Sequence, residues 1–273
     1  VRLEPEHEVA VVEMGMSDFG EMSRLAEIAA PNCAVITNIG ISHIQQLKTQ
    51  QNILGEKLHI IDRFQEDSVL FLNGDDPMLA GLRGKLRVKT RYFGMQPWCD
   101  DRAEQIAFHP NGVRFVFRTN GIAQEVDLPV VGLHNVTNAL ASLAVAHFLG
   151  VDLEKAAKAL KEYQPLAMRQ QLHRHKGITV IDDSYNASPD ALKSSLDMLE
   201  NLREQDGRCI AALADMLELG ALEHRAHFEV GAYAAGTGVD ALVTVGTRAA
   251  AIAEGARSVK PEIPCHVCAS NEE

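Results

Sequence analysis

A chain of 273 residues with 46% hydrophobic and 23% charged side chains is long enough for two domains, each with its own core. Its formal net charge of −11 argues against a nonspecific nucleic-acid or anionic-membrane binder, although a local cationic pocket can still hold phosphates. No apolar run reaches bilayer length and no signal-peptide pattern opens the chain, so a cytoplasmic protein, without membrane insertion, is expected. The five cysteines, Cys33, Cys99, Cys209, Cys265 and Cys268, are too few and too scattered for a disulfide framework. Cys265 and Cys268 form a lone C-x-x-C in a short strand and make a weak case for zinc or redox chemistry.

In chain order, residues 7–13 (HEVAVVE) read as a buried strand, residues 14–17 as its loop, and residues 21–30 as a helix closed by Pro31. Residues 33–37 form the next strand, residues 38–43 (NIGISH) a loop at its carboxyl end, and residues 53–64 a helix. A third strand over 68–72 ends in Asn73-Gly74-Asp75-Asp76-Pro77, and residues 88–92 add a fourth. Polar loops that always follow strands predict a parallel sheet. The texture then changes to short alternating segments at 106–108, 113–117 and 123–127. Pro110-Asn111-Gly112 and Asn120-Gly121 separate them as hairpin turns, so a small antiparallel extension is expected. Helices follow over 134–148 and 153–161.

Residues 164–168 (QPLAM) read as a linker, which places one domain at 1–164 and a second at 165–273. The second repeats the strand and helix alternation: strand 178–181, helix 189–202, strand 209–213, helix 224–235, strand 241–245. This predicts a Rossmann-like unit. The chain opens on Val1 almost directly into a strand and stops at Glu273 without a closing element, which predicts a piece of a larger fold. The stretch from Asp182 to Asp190 (DDSYNASPD) joins a strand expected to be buried to a helix, with Ser188 as N-cap and Pro189 at the first helical position. It carries more polar groups than a turn needs, and the carboxyl end of a parallel strand is where α/β proteins collect ligands.

Three polar groups lie near strand ends of the first domain: Glu13, His43 and Lys57. A carboxylate and an imidazole from neighbouring strands can share a divalent cation, and Lys57 can serve as a phosphate counter-ion or, once carbamylated, as an oxygen donor. Hydrogen-bonded polar residues at strand ends explain the same pattern. At the helix start 132–138 (GLHNVTN), Asn135 and Asn138 share a face where a carboxamide suits a nucleobase edge, or simply caps the helix. Arg169 follows the linker directly, where a guanidinium can clamp a phosphate. Residues 81–86 (GLRGKL) fail as a phosphate loop, because Leu79 stands at the first glycine position and Leu86 replaces the hydroxyl residue. His224 and His227 lack a third metal ligand and read as an exposed helix face.

These stretches, taken in order with Asp215-Met216-Leu217-Glu218-Leu219-Gly220 and the His227 that follows, resemble the Mur ligase family, and within it the MurF type. The resemblance implies a Mur ligase central domain without its phosphate-loop part and an incomplete Rossmann-like C-terminal domain. It implies an ATP-dependent amide ligase that adds D-alanyl-D-alanine to UDP-N-acetylmuramoyl-tripeptide through an acyl phosphate, with ATP and Mg2+ as cofactors. By resemblance, Glu13 and His43 are magnesium ligands, and Lys57 is a carbamylated lysine that completes the set, with His43 and Lys57 serving catalysis. His134, Asn135 and Asn138 correspond to the adenine segment, Arg169 to a phosphate contact and Asp183 to the ribose contact, while Tyr185 and Asn186 mark the MurF version of the loop. Two departures are mild: Ala214 stands where glycine is usual, and Ser188 replaces a common asparagine. The missing phosphate loop predicts that this chain alone does not complete the reaction. A monomer is expected. The alternatives are a folylpolyglutamate or cyanophycin synthetase type of ligase and a noncatalytic nucleotide-binding scaffold.

Overall fold

The structure, a computed structural model, describes residues 4–109 and 111–272. Val1, Glu273 and Pro110, which carried expectations about the chain ends and a hairpin turn, lie outside the described residues. Strands Cys33–Ile36 (β1), Val69–Asn73 (β2), Lys89–Gly94 (β3) and the start of Asp101–His109 (β4) run parallel, side by side in chain order. Gly112–Thr119 (β5) and Ile122–Leu128 (β6) continue the same six-stranded sheet in antiparallel fashion. Asn120 and Gly121 both have positive φ, 47° and 81°, which is the backbone a tight two-residue hairpin needs.

Every residue of β2 is buried, because both faces of the sheet are covered. Val69 and Phe71 face a core shared with helices Leu133–Phe148 (α5) and Leu153–Lys161 (α6). Leu70 and Leu72 face the opposite core, under Glu21–Ala29 (α1), Ile44–Leu47 (α2), Gln50–Leu58 (α3) and Pro77–Ala80 (α4). Phe71, Phe93, Phe115 and Phe117 are fully buried, each contributing roughly 1.5–3 kcal/mol of transfer free energy. One buried charge holds the parallel and antiparallel portions together. Asp101, on β4, accepts two bonds from the Arg91 guanidinium at 2.8 and 3.0 Å and one from Thr119 Oγ1 at 2.6 Å.

The second half has its own core, built around three parallel strands, Ile210–Ala214 (β9), Ala241–Val245 (β10) and Cys265–Cys268 (β11). Helices Pro189–Asn201 (α7), Glu223–Gly236 (α8) and Ala250–Val259 (α9) complete it, and the last was not expected from the sequence. Cys265 and Cys268 are both free thiols, and Cys268 is buried.

Three expectations need correction. Residues 7–13 form no strand: Val9, Val11 and Val12 are exposed, and the segment makes no ladder with β1, the terminal strand of the sheet. An apolar run is compatible with a strand, but only a neighbouring backbone makes it one. Ile178–Asp182 (β8) is a strand, yet it is exposed and stands outside the parallel sheet, paired antiparallel with Gln171–His175 (β7). The turn explains this, since Lys176 and Gly177 have φ of 48° and 78° and fold β8 back on β7 before it can reach β9. His227 is fully buried, not on an exposed face; Nε2 accepts from Met216 N at 2.9 Å and Nδ1 bonds the Glu223 carbonyl at 2.7 Å.

Helices α8 and α9 meet through two glycines. A Cβ on Gly231 would sit 1.8 Å from the Ile252 carbonyl oxygen, and one on Gly255 would sit 1.9 Å from that of Phe228. Backbone on both sides leaves nothing that can swing away. Gly231→Ala is therefore expected to cost about 1–3 kcal/mol by separating the helices, measured by urea unfolding; unchanged stability would contradict this contact.

Candidate functional site

The first rim of the site is made by loops that leave the parallel strands. Asp76, in the loop after β2, uses Oδ1 to cap α4, accepting from Met78 N and Leu79 N at 2.9 Å each. Its Oδ2 accepts from Ile39 N at 2.8 Å, so the helix cap also pins the 38–43 loop. Asn73 Nδ2 adds a bond to the Thr37 carbonyl at 2.9 Å. Against this fixed loop lies Lys57, half-buried near the end of α3, whose Nζ donates to the Asn38 carbonyl at 2.9 Å. Burial pushes the Lys57 pKa down, partly opposed by the negative charge of Asp76. The result is an amine held in one place and more readily deprotonated than a surface lysine.

His43 begins α2 with a left-handed φ of 60°, and its Nδ1 lies against the Glu218 carboxylate. Glu218 belongs to the second half of the chain and is itself left-handed, at φ 62°. Its carbonyl accepts from Gln45 N at 3.1 Å. Glu13 is exposed, at the end of the unpaired 7–13 segment where a strand was expected. Among the described residues, no group of three or more His, Cys, Asp and Glu side chains stands in metal-binding arrangement. The structure thus joins Lys57 to the 38–43 loop and His43 to Glu218, and leaves Glu13 apart. The donor chemistry of a carboxylate, an imidazole and a lysine open to carbamylation still suits a hard divalent cation.

The second rim forms where α5 begins. Gly132 has φ 114°, and a Cβ there would fall 2.5 Å from Cε1 of His134, so the ring can fold over the glycine. His134 Nε2 lies 2.6 Å from Gln170 Oε1, just past the linker. Burial draws the His134 pKa below its usual value, with the bond to Gln170 opposing. Asn135 Nδ2 is engaged in donating to the Val131 carbonyl at 2.9 Å, whereas Asn138 is exposed. Arg169 is exposed, and its guanidinium stacks on the exposed Tyr185, 4.1 Å from the ring centre. Asp183 accepts from Ser195 Oγ at 2.5 Å, and Asn186, exposed, bonds Ala187 N. Ser188 caps α7, as its position suggested.

Between α5 and α7 lies a cleft of about 600 Å³, lined among others by Gly132, Leu133, His134, Ser194 and Asp197. Sequence reasoning missed Gln170, Ser195, Asp76 and Glu218 as parts of the site. Asp76 and Glu218 stood inside quoted motifs, but Gln170 and Ser195 carry no local signal. Asp76→Ala is expected to cost about 2 kcal/mol, as a cap and a loop tie are lost together. It should also speed hydrogen exchange at the Ile39 amide; an unchanged rate there would refute the pinning role.

Residues 2–146 match the family model described as the Mur ligase middle domain, and residues 168–273 that described as the Mur ligase, glutamate ligase domain. The chain is 39% identical over 250 residues to UDP-N-acetylmuramoyl-tripeptide--D-alanyl-D-alanine ligase of Bacillus subtilis, covering 91% of this chain and 53% of that protein. MurF from Acinetobacter baumannii has a similar structure, with a TM-score of 0.86 at 26% identity, covering 97% of this chain and 62% of that one. A MurF ligase from Thermotoga maritima, solved in complex with ADP, shares the fold at a TM-score of 0.78 and 23% identity, over 95% of this chain and 63% of that one. The chain spans about half the length of the curated relatives it matches.

Proposed function

The chain belongs to the Mur ligase family, and from that premise we propose that it supplies the ATP-binding and C-terminal portions of a ligase of the MurF type. The reaction is the joining of D-alanyl-D-alanine to UDP-N-acetylmuramoyl-tripeptide. One observation carries this reading: His134 and Asp183, candidates for the adenine and ribose contacts, come from different halves of the chain and are joined by hydrogen bonds across one cleft. The relatives named as D-alanyl-D-alanine ligases do not favour the folylpolyglutamate, cyanophycin or scaffold alternatives.

The proposed division is 1–164 and 165–273, with the nucleotide between. His134, Asn135 and Asn138 take the adenine, and Asp183 accepts from the ribose hydroxyls. Arg169 leaves the face of Tyr185 to meet a phosphate, while Tyr185 and Asn186 shape the loop at that edge. Glu13 and His43 would hold a magnesium ion, which when bound neutralises charge developing on the transferring phosphoryl group. His43 is available for that role only after it leaves Glu218. The lowered proton affinity of Lys57 makes the neutral amine easier to reach than on a surface lysine, and its lone pair adds to carbon dioxide with release of one proton. The carbamate so formed is an anionic oxygen donor in place of a cation.

In the reaction itself, the tripeptide carboxylate attacks the terminal phosphorus of ATP and ADP leaves. The dipeptide amine then attacks the acyl phosphate, and the C–O bond to phosphate breaks. Acyl phosphates hydrolyse, so two halves that meet over the site serve to exclude water. The setting proposed is a monomer in the cytoplasm; among the described residues no helix is long and apolar enough to cross a membrane.

In an enzyme that carries this chain, Lys57→Ala is expected to abolish phosphate release with UDP-N-acetylmuramoyl-tripeptide and D-alanyl-D-alanine, and added short carboxylic acids should restore part of it. Full activity in the variant would remove Lys57 from the site.

A further inference from the structure

We propose that Gln170 and Ser195 are positioning residues through which Asp183 sets the tautomer of His134 across the boundary between the two halves. Three contacts form an unbroken chain. Ser195 Oγ lies 2.5 Å from Asp183 Oδ2, Gln170 Nε2 lies 3.1 Å from Ser195 Oγ, and His134 Nε2 lies 2.6 Å from Gln170 Oε1.

The direction of this chain follows from counting hydrogens. A carboxylate has only lone pairs to offer, so Ser195 spends its single hydroxyl hydrogen on Asp183. Its oxygen must then accept from Gln170, which turns the amide nitrogen toward Ser195 and the amide oxygen toward His134. The opposite amide orientation would set a carbonyl oxygen against a serine oxygen whose hydrogen is already committed, two lone pairs at 3.1 Å. Amide orientation is normally inferred from such networks, and here only one orientation satisfies every member. His134 is therefore the donor, protonated at Nε2, with the Nδ1 lone pair left as an acceptor.

Two further features hold the arrangement. Gln170 has a left-handed φ of 52°, and Met168 one of 59°, conformations that are costly for a non-glycine residue and persist where surrounding contacts fix them. The Nδ1 and Cε1 edge of the ring packs over Gly132, where a Cβ would lie 2.9 and 2.5 Å away, in the cleft that both residues line. Asp183 and Asp197 are the carboxylates whose charge reaches the ring, and burial outweighs them and lowers its proton affinity, which favours the neutral imidazole, the form whose tautomer matters. A neutral ring with a free Nδ1 accepts from an amino donor, as on a purine edge. That last consequence rests on the proposed reading of His134 and Asp183 as nucleotide contacts; the tautomer does not.

The test uses the chain labelled with 15N-histidine at pH 7.5, with the His134 signal assigned from its loss in His134→Gln. The ligand-free protein should show His134 protonated at Nε2. Ser195→Ala keeps a residue well suited to a helix interior, so the fold should be retained. It frees the Gln170 amide to turn, and His134 should become a mixture of tautomers, with Ser195→Thr restoring the single form. Protonation at Nδ1 in the unaltered chain, or an unchanged tautomer in Ser195→Ala, would overturn the proposal. Titration with ADP in the same spectra should shift His134, about tenfold more weakly in Ser195→Ala and normally in Ser195→Thr. ADP that leaves His134 unmoved in all three proteins would overturn the nucleotide reading, while the ligand-free spectra would still decide the relay.

Discussion

The carboxylate of Asp183 sits at one end of a run of hydrogen bonds that finishes, three contacts later, on an imidazole from the other half of the chain. Each half has its own hydrophobic core, and among the described residues Ile41 is the apolar side chain that packs against the cores of both. Without a large shared apolar surface, polar contacts fix how the two rims face each other. A half-buried polar run of this kind tolerates only one arrangement of donors, and that makes it specific as well as cohesive.

A second contact works differently. The loop carrying Glu218 is held by the buried His227, which bonds Met216 N, and it docks on the start of α2 through the Gln45 amide. Its carboxylate meets His43, and the two residues are both left-handed. Where the first contact draws together groups proposed to serve one nucleotide, this one engages a residue proposed as a magnesium ligand. The proposed site therefore calls for opposite changes at its two ends: the His134 to Asp183 run stays, and the His43 to Glu218 contact opens.

Much of the fold was legible from periodicity and turn chemistry. The covered parallel strands, the antiparallel extension at Asn120-Gly121 and the cap at Ser188 followed from local rules that the structure obeys. What escaped was non-local. Residues 7–13 have the composition of a strand but no neighbouring backbone, and residues 178–182 were diverted from the main sheet by a two-residue turn at Lys176-Gly177. Of the expected site residues, Lys57, His134 and Asp183 prove to be tied into the rims, whereas Arg169 is folded onto Tyr185 and Glu13 stands clear. Gln170 and Ser195 were invisible because neither residue type nor spacing marks them; their part depends on partners 12 to 36 positions away.

The central claim is that one nucleotide is held by both halves at once. Hydrogen exchange of the chain with and without ADP tests it directly. The account predicts slowed exchange in two separate stretches, residues 132–138 at the start of α5 and residues 183–186 before α7, with the same ADP dependence. Protection confined to one stretch, or to neither, would contradict it.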